Sequence, residues 1–292
     1  MHALVQGVIL GVLTAGVLAL MASGQTLIFG VMKVINLAQG AMVILSAYLA
    51  YQMFVSFGLD PFLSIPLSTV FMFGVGVVAQ LLFLRPLRPE DRSELSLLVT
   101  FALALLIEGI ISVTWGTTVR SINTGYANDS WTVFGYQITV VRFFAFVLSL
   151  VVLALLFLVL NRTRLGRGIR ATVQNQESAT LLGVQASRVS AIGFGLGTAT
   201  SAAAGSVYGM AYPFNAGSHY DLISLLLSII VLGGLGSIGG AIVGALVVSV
   251  SSAVVASAFS PVWSAMTSFV ILLLVLLIRP QGIFGSQTRG AM

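Results

Sequence analysis

Glu108 is the residue whose chemistry most needs explaining: a carboxylate inside the apolar stretch 95–116, roughly 20 Å of helix rise beyond Leu95. At the centre of a membrane span a carboxylate costs about 2.5 to 3.5 kcal/mol, so it must face a partner or a watery cavity. Glu108 lies toward the outer end of its stretch, where that cost falls. A place on a solute pathway and a hydrogen-bonded structural role are both open to it. The second ionisable group in apolar surroundings is Lys33, in the polar interruption Gly30, Lys33, Asn36, Gln39, Gly40. Its ammonium is expected to snorkel to the cytoplasmic interface.

Enzymatic chemistry finds little footing. Imidazole bases are limited to His2 and His219, there is no H-E-x-x-H run, and no two carboxylates share a membrane stretch. His219 falls in a predicted loop beside Ser218, which suits a structural or interfacial role. Gly234, Gly236 and Gly239 fit the spacing G-x-G-x-x-G, but they sit in an apolar stretch and no acid follows Asp221 to hold a ribose. Lys33 is the only lysine and no Gly-Lys-Ser/Thr run surrounds it, so a phosphate-binding loop is excluded. ATP, if it drives this protein, must be hydrolysed by another subunit. With no cysteine, disulfides and thiolate metal sites are excluded too. The chain itself is expected to bind no cofactor and no metal.

The elements that must position these residues are membrane spans. Hydrophobic residues make up 58% of the 292, charged residues only 7%, and the mean hydropathy is +1.08. A span needs about 20 mostly apolar residues, and nine stretches approach that: 4–28, 36–57, 62–84, 95–116, 142–160, 187–211, 222–235, 237–258 and 262–278. The stretch between Asp221 and Gly236 is the shortest and could be re-entrant, so eight spans and nine are both open. The polar connections are too short to bury a core of their own, so residues 1–292 are expected to form a single, all-α, transmembrane domain. The first stretch is too long, and lacks the basic start and small-residue cleavage site, for a cleaved signal peptide.

The net charge of +5 would suggest nucleic acid in a soluble protein; here the placement of charge matters more. With the N-terminus outside, 11 of the 13 basic residues are cytoplasmic: Lys33, Arg85, Arg88, Arg92, Arg162, Arg164, Arg167, Arg170, Arg188, Arg279 and Arg289. Only Arg120 and Arg142 are external, which sets the orientation. The external side carries Asp60, Asp129, His219 and Asp221 with Trp115, Trp131 and Tyr212, as an interfacial aromatic belt requires.

Small residues recur every fourth position in Gly193, Gly197, Ser201, Gly205 and Gly209. Such a stripe lets helix backbones approach closely where lipid offers no hydrophobic drive. Gly236, Gly240 and Gly244 repeat the device, and Gly7 with Gly11 begins it. These faces either pack the bundle or slide during transport. The interruption at Asn36, Gln39 and Gly40 has a counterpart at Leu232–Gly240, where Gly233, Gly234, Gly236 and Ser237 break an apolar run. Interrupted segments at corresponding places in two halves can mark a substrate site. An internal duplication and a pair of plain turns both account for the pattern.

Five arginines cluster in the loop 161–188, a likeness to nothing else in the chain. Within it Asn175 is an N-cap, Gln176 and Glu177 start a helix with charge suited to its dipole, and Gly183 stops it. Ala179, Leu181 and Leu182 give this helix an apolar face. A helix of roughly two turns is not stable alone and must dock on something: on the membrane spans, on anionic lipid or on another protein.

Here the chain resembles a family. The run GRGIRATVQNQESATLLGV (Gly166–Val184) is similar to the cytoplasmic coupling loop of LivH-type permeases, membrane subunits of ABC importers for branched-chain amino acids. VLGGLGSIGGAIVGAL (Val231–Leu246), RPQGIFG (Arg279–Gly285) and LIFGVMKVINLAQGA (Leu27–Ala41) extend the match from the first span to the end. The family usually shows N-F-A-H-G-E where this chain has Asn36, Leu37, Ala38, Gln39, Gly40 and Ala41, so no role of that histidine or acid carries over.

The resemblance implies a permease in a bacterial inner membrane, paired with a LivM-like sister or a second copy of itself. It also implies two ABC ATPase subunits holding ATP and Mg, and a periplasmic substrate-binding protein. Arg170, Asn175, Gln176, Glu177, Ala179, Leu181, Leu182 and Gly183 would then couple the spans to the ATPase. Asn36, Gln39, Gly40, Glu108, Gly233, Gly234, Gly236 and Ser237 would border the path, and Gly193, Gly197, Ser201, Gly205, Gly209, Gly240 and Gly244 the moving or packing faces. A secondary transporter would need ion-coupling groups, for which Glu108 stands alone; a channel would need neither those nor ATP.

Overall fold

The computed structural model describes residues 2–87, 92–127 and 129–285, with backbone alone at Arg92, Ser93, Gln176, Glu177 and Ala265. Arg88 and Arg289 lie outside the described residues. The architecture is all-α and polytopic. Long helices run alternately up and down: α1 (His2–Met32), α2 (Gln39–Phe57), α3 (Pro61–Ala79), α4 (Arg92–Trp115), α5 (Val140–Arg162), α8 (Ala186–Ala211), α9 (His219–Gly233), α10 (Ile238–Ala258) and α11 (Pro261–Ile278). Two short helices, α6 (Arg164–Gln174) and α7 (Gln176–Leu181), join α5 to α8. A π-helical turn, Gln80–Leu84, lengthens α3 to the full width of a span.

Among the described residues, eight helices are long and apolar enough to cross a membrane. The short stretch near Asp221 qualifies once the 3-10 turn Ala216–Ser218 is added, as Ala216–Gly233. The helix that does not qualify is α8, although at 26 residues it is among the longest. Its Gly, Ser, Thr and Ala residues between Ser190 and Gly209 are buried, and the helix packs mainly against α1, α2 and α3. A helix enclosed by protein needs no lipid-facing side chains, so its composition is free to serve packing.

The stripe on α8 shows how. Four residues turn a helix by about 400°, so each step of the stripe advances roughly 40° around the axis. Gly193 and Gly197 accordingly abut α1, at Val31 and at Gly24 and Ile28, whereas Gly205 abuts α2 at Val43, Ser46 and Ala47. The opposite face packs on α3, where the Thr198 hydroxyl donates to the Met72 carbonyl at 3.0 Å. Gly7 and Gly11 bring α1 against α10, and the Ser249 hydroxyl donates to the Gly11 carbonyl at 2.8 Å. Gly240 and Gly244 bring α10 against α9. Gly236 is not part of that stripe, because it lies in the turn before α10 begins.

The connection 116–139 contains a two-stranded hairpin, β1 (Ser130–Val133) and β2 (Tyr136–Thr139). Phe134 and Gly135, both with positive φ, make the two-residue turn whose twist suits a hairpin. It is anchored to α1: the Gln6 amide donates to the Gln137 carbonyl at 2.6 Å and accepts from its N–H at 3.1 Å, and His2 stacks on Tyr136. The bundle thus has a hairpin end and, at the opposite pole, an arginine end bearing α6 and α7.

Candidate functional site

The stretch 36–57 is not helical from its start. After α1 the chain turns at Lys33, which is exposed with φ of 56°, and residues 34–38 run back into the bundle before α2 begins at Gln39. Unwound backbone at membrane depth is tolerated only where protein satisfies it, and here it is satisfied from two helices and by the Asn36 side chain. On α4 the Thr100 hydroxyl accepts from Leu37 N–H at 3.2 Å and lies 3.3 Å from the Ile35 carbonyl. From α1, the Gln25 amide donates to the Asn36 carbonyl at 3.3 Å. The Asn36 carboxamide accepts from Ala38 N–H at 3.1 Å and donates to the Gln39 side-chain oxygen at 3.3 Å. Gln39 reaches α8, donating to the Ser201 hydroxyl at 3.0 Å. Asn36, Gln39 and Ser201 are wholly buried. Gln25, which the sequence did not single out, belongs to this cluster too, and its buried side-chain oxygen accepts no hydrogen bond.

The break between α9 and α10 is built differently. Gly234, with φ of 99°, lets the chain leave α9 in a conformation that L side chains rarely adopt. The last carbonyls of α9 need donors, and the C-terminal tail supplies them: Ile283 N–H donates to Leu232 at 2.8 Å and Phe284 N–H to Gly233 at 3.1 Å. The motifs VLGGLGSIGG and RPQGIFG are therefore two halves of one structure. Ser237 caps α10 by accepting from Gly240 N–H at 3.0 Å. Gly236 faces Phe29 and Gly30 near the end of α1.

The two breaks do not meet. Gly40 packs on His219 and Ile223 at one end of α9, Gly233 lies at its other end, and the rise between Ile223 and Gly233 is about 15 Å. Both therefore border α9 rather than one common point.

Glu108 has partners that the sequence did not pair with it. The Tyr220 hydroxyl donates to its carboxylate at 3.0 Å, and His219 Nε2 lies 3.9 Å away. His219 is buried at the start of α9 rather than in a loop, with Nδ1 2.9 Å from the Ala216 carbonyl. Nearness of residues 108 and 219 is a product of the fold, with no signature in local spacing.

At the arginine end, Asn175 caps α7 by accepting from Ser178 N–H at 3.0 Å, and Gly183 ends the turn with φ of 84°. The expected single apolar face divides: Ala179 is buried, whereas Leu181 and Leu182 are 89% and 84% exposed. A residue two places on lies about 200° around a helix, so Leu181 points away from the face that Ala179 turns to the bundle, and Leu182 lies past the end of α7, as its C-cap. The side chains of Gln176 and Glu177 lie outside the described residues. Arg170 on α6 donates to Asn161 at the end of α5 and lines a cavity of about 440 Å³ that Gly30, Gly236 and Gly239 also line.

Residues 7–278 match the family model of the branched-chain amino acid transport system permease component. The chain belongs to this family. Among curated members of the permease family, BraD of Pseudomonas aeruginosa, a high-affinity branched-chain amino acid transport system permease protein, is 28% identical over 96% of this chain and 95% of its own length. The permeases named LivH of Salmonella typhimurium and of Escherichia coli K12 are 28% and 27% identical, each over 94% of this chain and 93% of its own. Of solved structures, PsaBC from Streptococcus pneumoniae in complex with Fab aligns at a TM-score of 0.49 and 10% identity over 94% of this chain and 92% of that one.

Proposed function

We propose that this chain is the membrane-spanning permease subunit of an ATP-driven importer that moves branched-chain amino acids, or a related small polar substrate, from periplasm to cytoplasm by alternating access. On this reading residues 1–292 act as one transmembrane permease domain in a bacterial inner membrane. It pairs with a LivM-like sister or a second copy, and two ABC ATPase subunits carrying ATP and Mg dock beneath it. A periplasmic binding protein delivers the substrate. Family membership supports the transport class, and the observation that carries the coupling mechanism is α7. Leu181 and Leu182 are presented to the outside on a short helix joined through Gly183 to α8, the helix enclosed by the rest of the bundle. An ATPase that grips these leucines would push directly on α8.

The test is Leu181→Asp with Leu182→Asp. Both side chains are exposed, so the purified variant should unfold as the parent does, within about 0.5 kcal/mol. It should fail to retain the ATPase subunits, and vesicles containing it should lose ATP-dependent uptake. Normal uptake by the double variant would refute the docking surface. Uptake that survives ATP depletion but collapses with an uncoupler would make the protein a secondary transporter instead.

A further inference from the structure

A cavity of about 290 Å³ opens at the hairpin end between α1, α5, α8 and α9, close to the lower size of small-molecule sites, roughly 300 Å³. It adjoins a second of about 610 Å³ that shares Thr14, Leu18, Arg142, Tyr212 and Leu225 with it. Most of the wall is apolar, but two charges of opposite sign line the first cavity: Arg142 in the first turn of α5 and Asp221 in the first turn of α9. They make no direct ion pair with each other: among the described residues the one such approach is between His219 and Glu108. The guanidinium of Arg142 lies 5.8 Å from the Tyr212 ring centre. It stands at the positive end of the α5 dipole, where a cation is disfavoured and an incoming anion gains from both.

We infer that this cavity is a binding site for a free α-amino acid with an apolar side chain. Its carboxylate would meet the Arg142 guanidinium, a planar fork suited to two parallel hydrogen bonds. Its ammonium would meet Asp221. The side chain would enter the pocket walled by Leu13, Leu18, Met21 and Leu222. Opposite charges held apart over an apolar floor match a zwitterion better than a fatty acid or an amine, either of which leaves one charge unmet. This inference rests on the proposed amino-acid transport.

The chain has no cysteine, so Thr14→Cys places a single thiol on the cavity wall. In vesicles carrying the full chain with its partner subunits, leucine should slow methanethiosulfonate labelling of that thiol by about fivefold or more, read as the mass shift of this chain. Leucinamide, without the carboxylate, and 4-methylpentanoate, without the ammonium, should not protect. Arg142→Gln and Asp221→Asn should each abolish protection by leucine, and Arg142→Lys should keep part of it; elution of each variant as a folded chain checks its integrity. Labelling that leucine leaves unchanged, in vesicles that import leucine with ATP, would overturn the site while leaving the transport reading intact. Equal protection by all three compounds would also overturn it, as an apolar pocket indifferent to charge. Vesicles that import no amino acid with ATP would remove the transport reading and this site together.

Discussion

Substituting alanine for three helical glycines should move stability in opposite directions. On Gly205 of α8 an added Cβ would lie 2.6 Å from the Ser46 Cβ and 2.9 Å from the Ala47 nitrogen on α2, and closer still to the Val43 carbonyl. Carbon atoms reach ordinary contact at about 3.5 Å, so α2 and α8 must separate by roughly 1 Å. The nearest atoms are backbone and a Cβ, which cannot rotate out of the way. Overpacking of this kind costs about 1–3 kcal/mol, and no hydrophobic gain offsets it between helices in lipid. On Gly74 of α3 and Gly109 of α4 an added Cβ meets nothing within 4 Å. There alanine should stabilise by about 0.5–1 kcal/mol through lower backbone entropy in the unfolded chain. Unfolding of the purified variants in detergent, followed by circular dichroism, should place Gly205→Ala about 1.5–4 kcal/mol below the other two. A Gly205→Ala protein as stable as Gly109→Ala would show that the close approach of α2 and α8 is not set by this residue.

Two further outcomes follow from the loop and the tail. The Tyr126 hydroxyl donates to Asp60 at 2.6 Å, and burial, with that bond and the nearby carboxylate, pushes the phenol pKa well up. A raised folded value means that the unfolded chain loses the proton first, so this contribution is whole below about pH 10 and is lost as pH rises beyond it. Stability measured between pH 9 and 11, about one unit either side of the ordinary tyrosine value, should fall less steeply for Tyr126→Phe than for the parent. Ile283→Pro removes the N–H that caps Leu232; uncapping should cost about 1–3 kcal/mol and speed proteolysis of residues 279–285 in the detergent-solubilised chain. An unchanged cleavage rate would mean that the tail is held by its side chains.

Periodicity and apolar run length revealed the membrane helices because they respond to lipid. The polar residues from Gly30 to Gly40 marked a break, but run length started the next span at 36, whereas Val34, Asn36 and Ala38 are unwound yet as buried as helical neighbours, held by Gln25 and Thr100 on other helices. The caps Asn175 and Gly183 were legible because capping is local. The division of Ala179 from Leu181 and Leu182 was not, since it depends on which face of α7 the bundle covers. The pairing of Glu108 with Tyr220 and His219 joins residues more than a hundred positions apart, and the charges Arg142 and Asp221, read as topology markers, line one cavity only after α5 and α9 have been brought together.

The enclosure of α8 bears on how the protein is made. Helices leave the translocon for lipid according to their own apolarity, and α8 is less apolar than the other long helices. Its docking surfaces, α1, α2 and α3, have already been synthesised by then. α8 should therefore enter the bilayer against that preassembled wall, or as a hairpin with the more apolar α9. Mutations that loosen the first three helices would be felt first as failed insertion of α8, with α9, α10 and α11 inverted as a result, and only secondarily as lower stability of a finished protein.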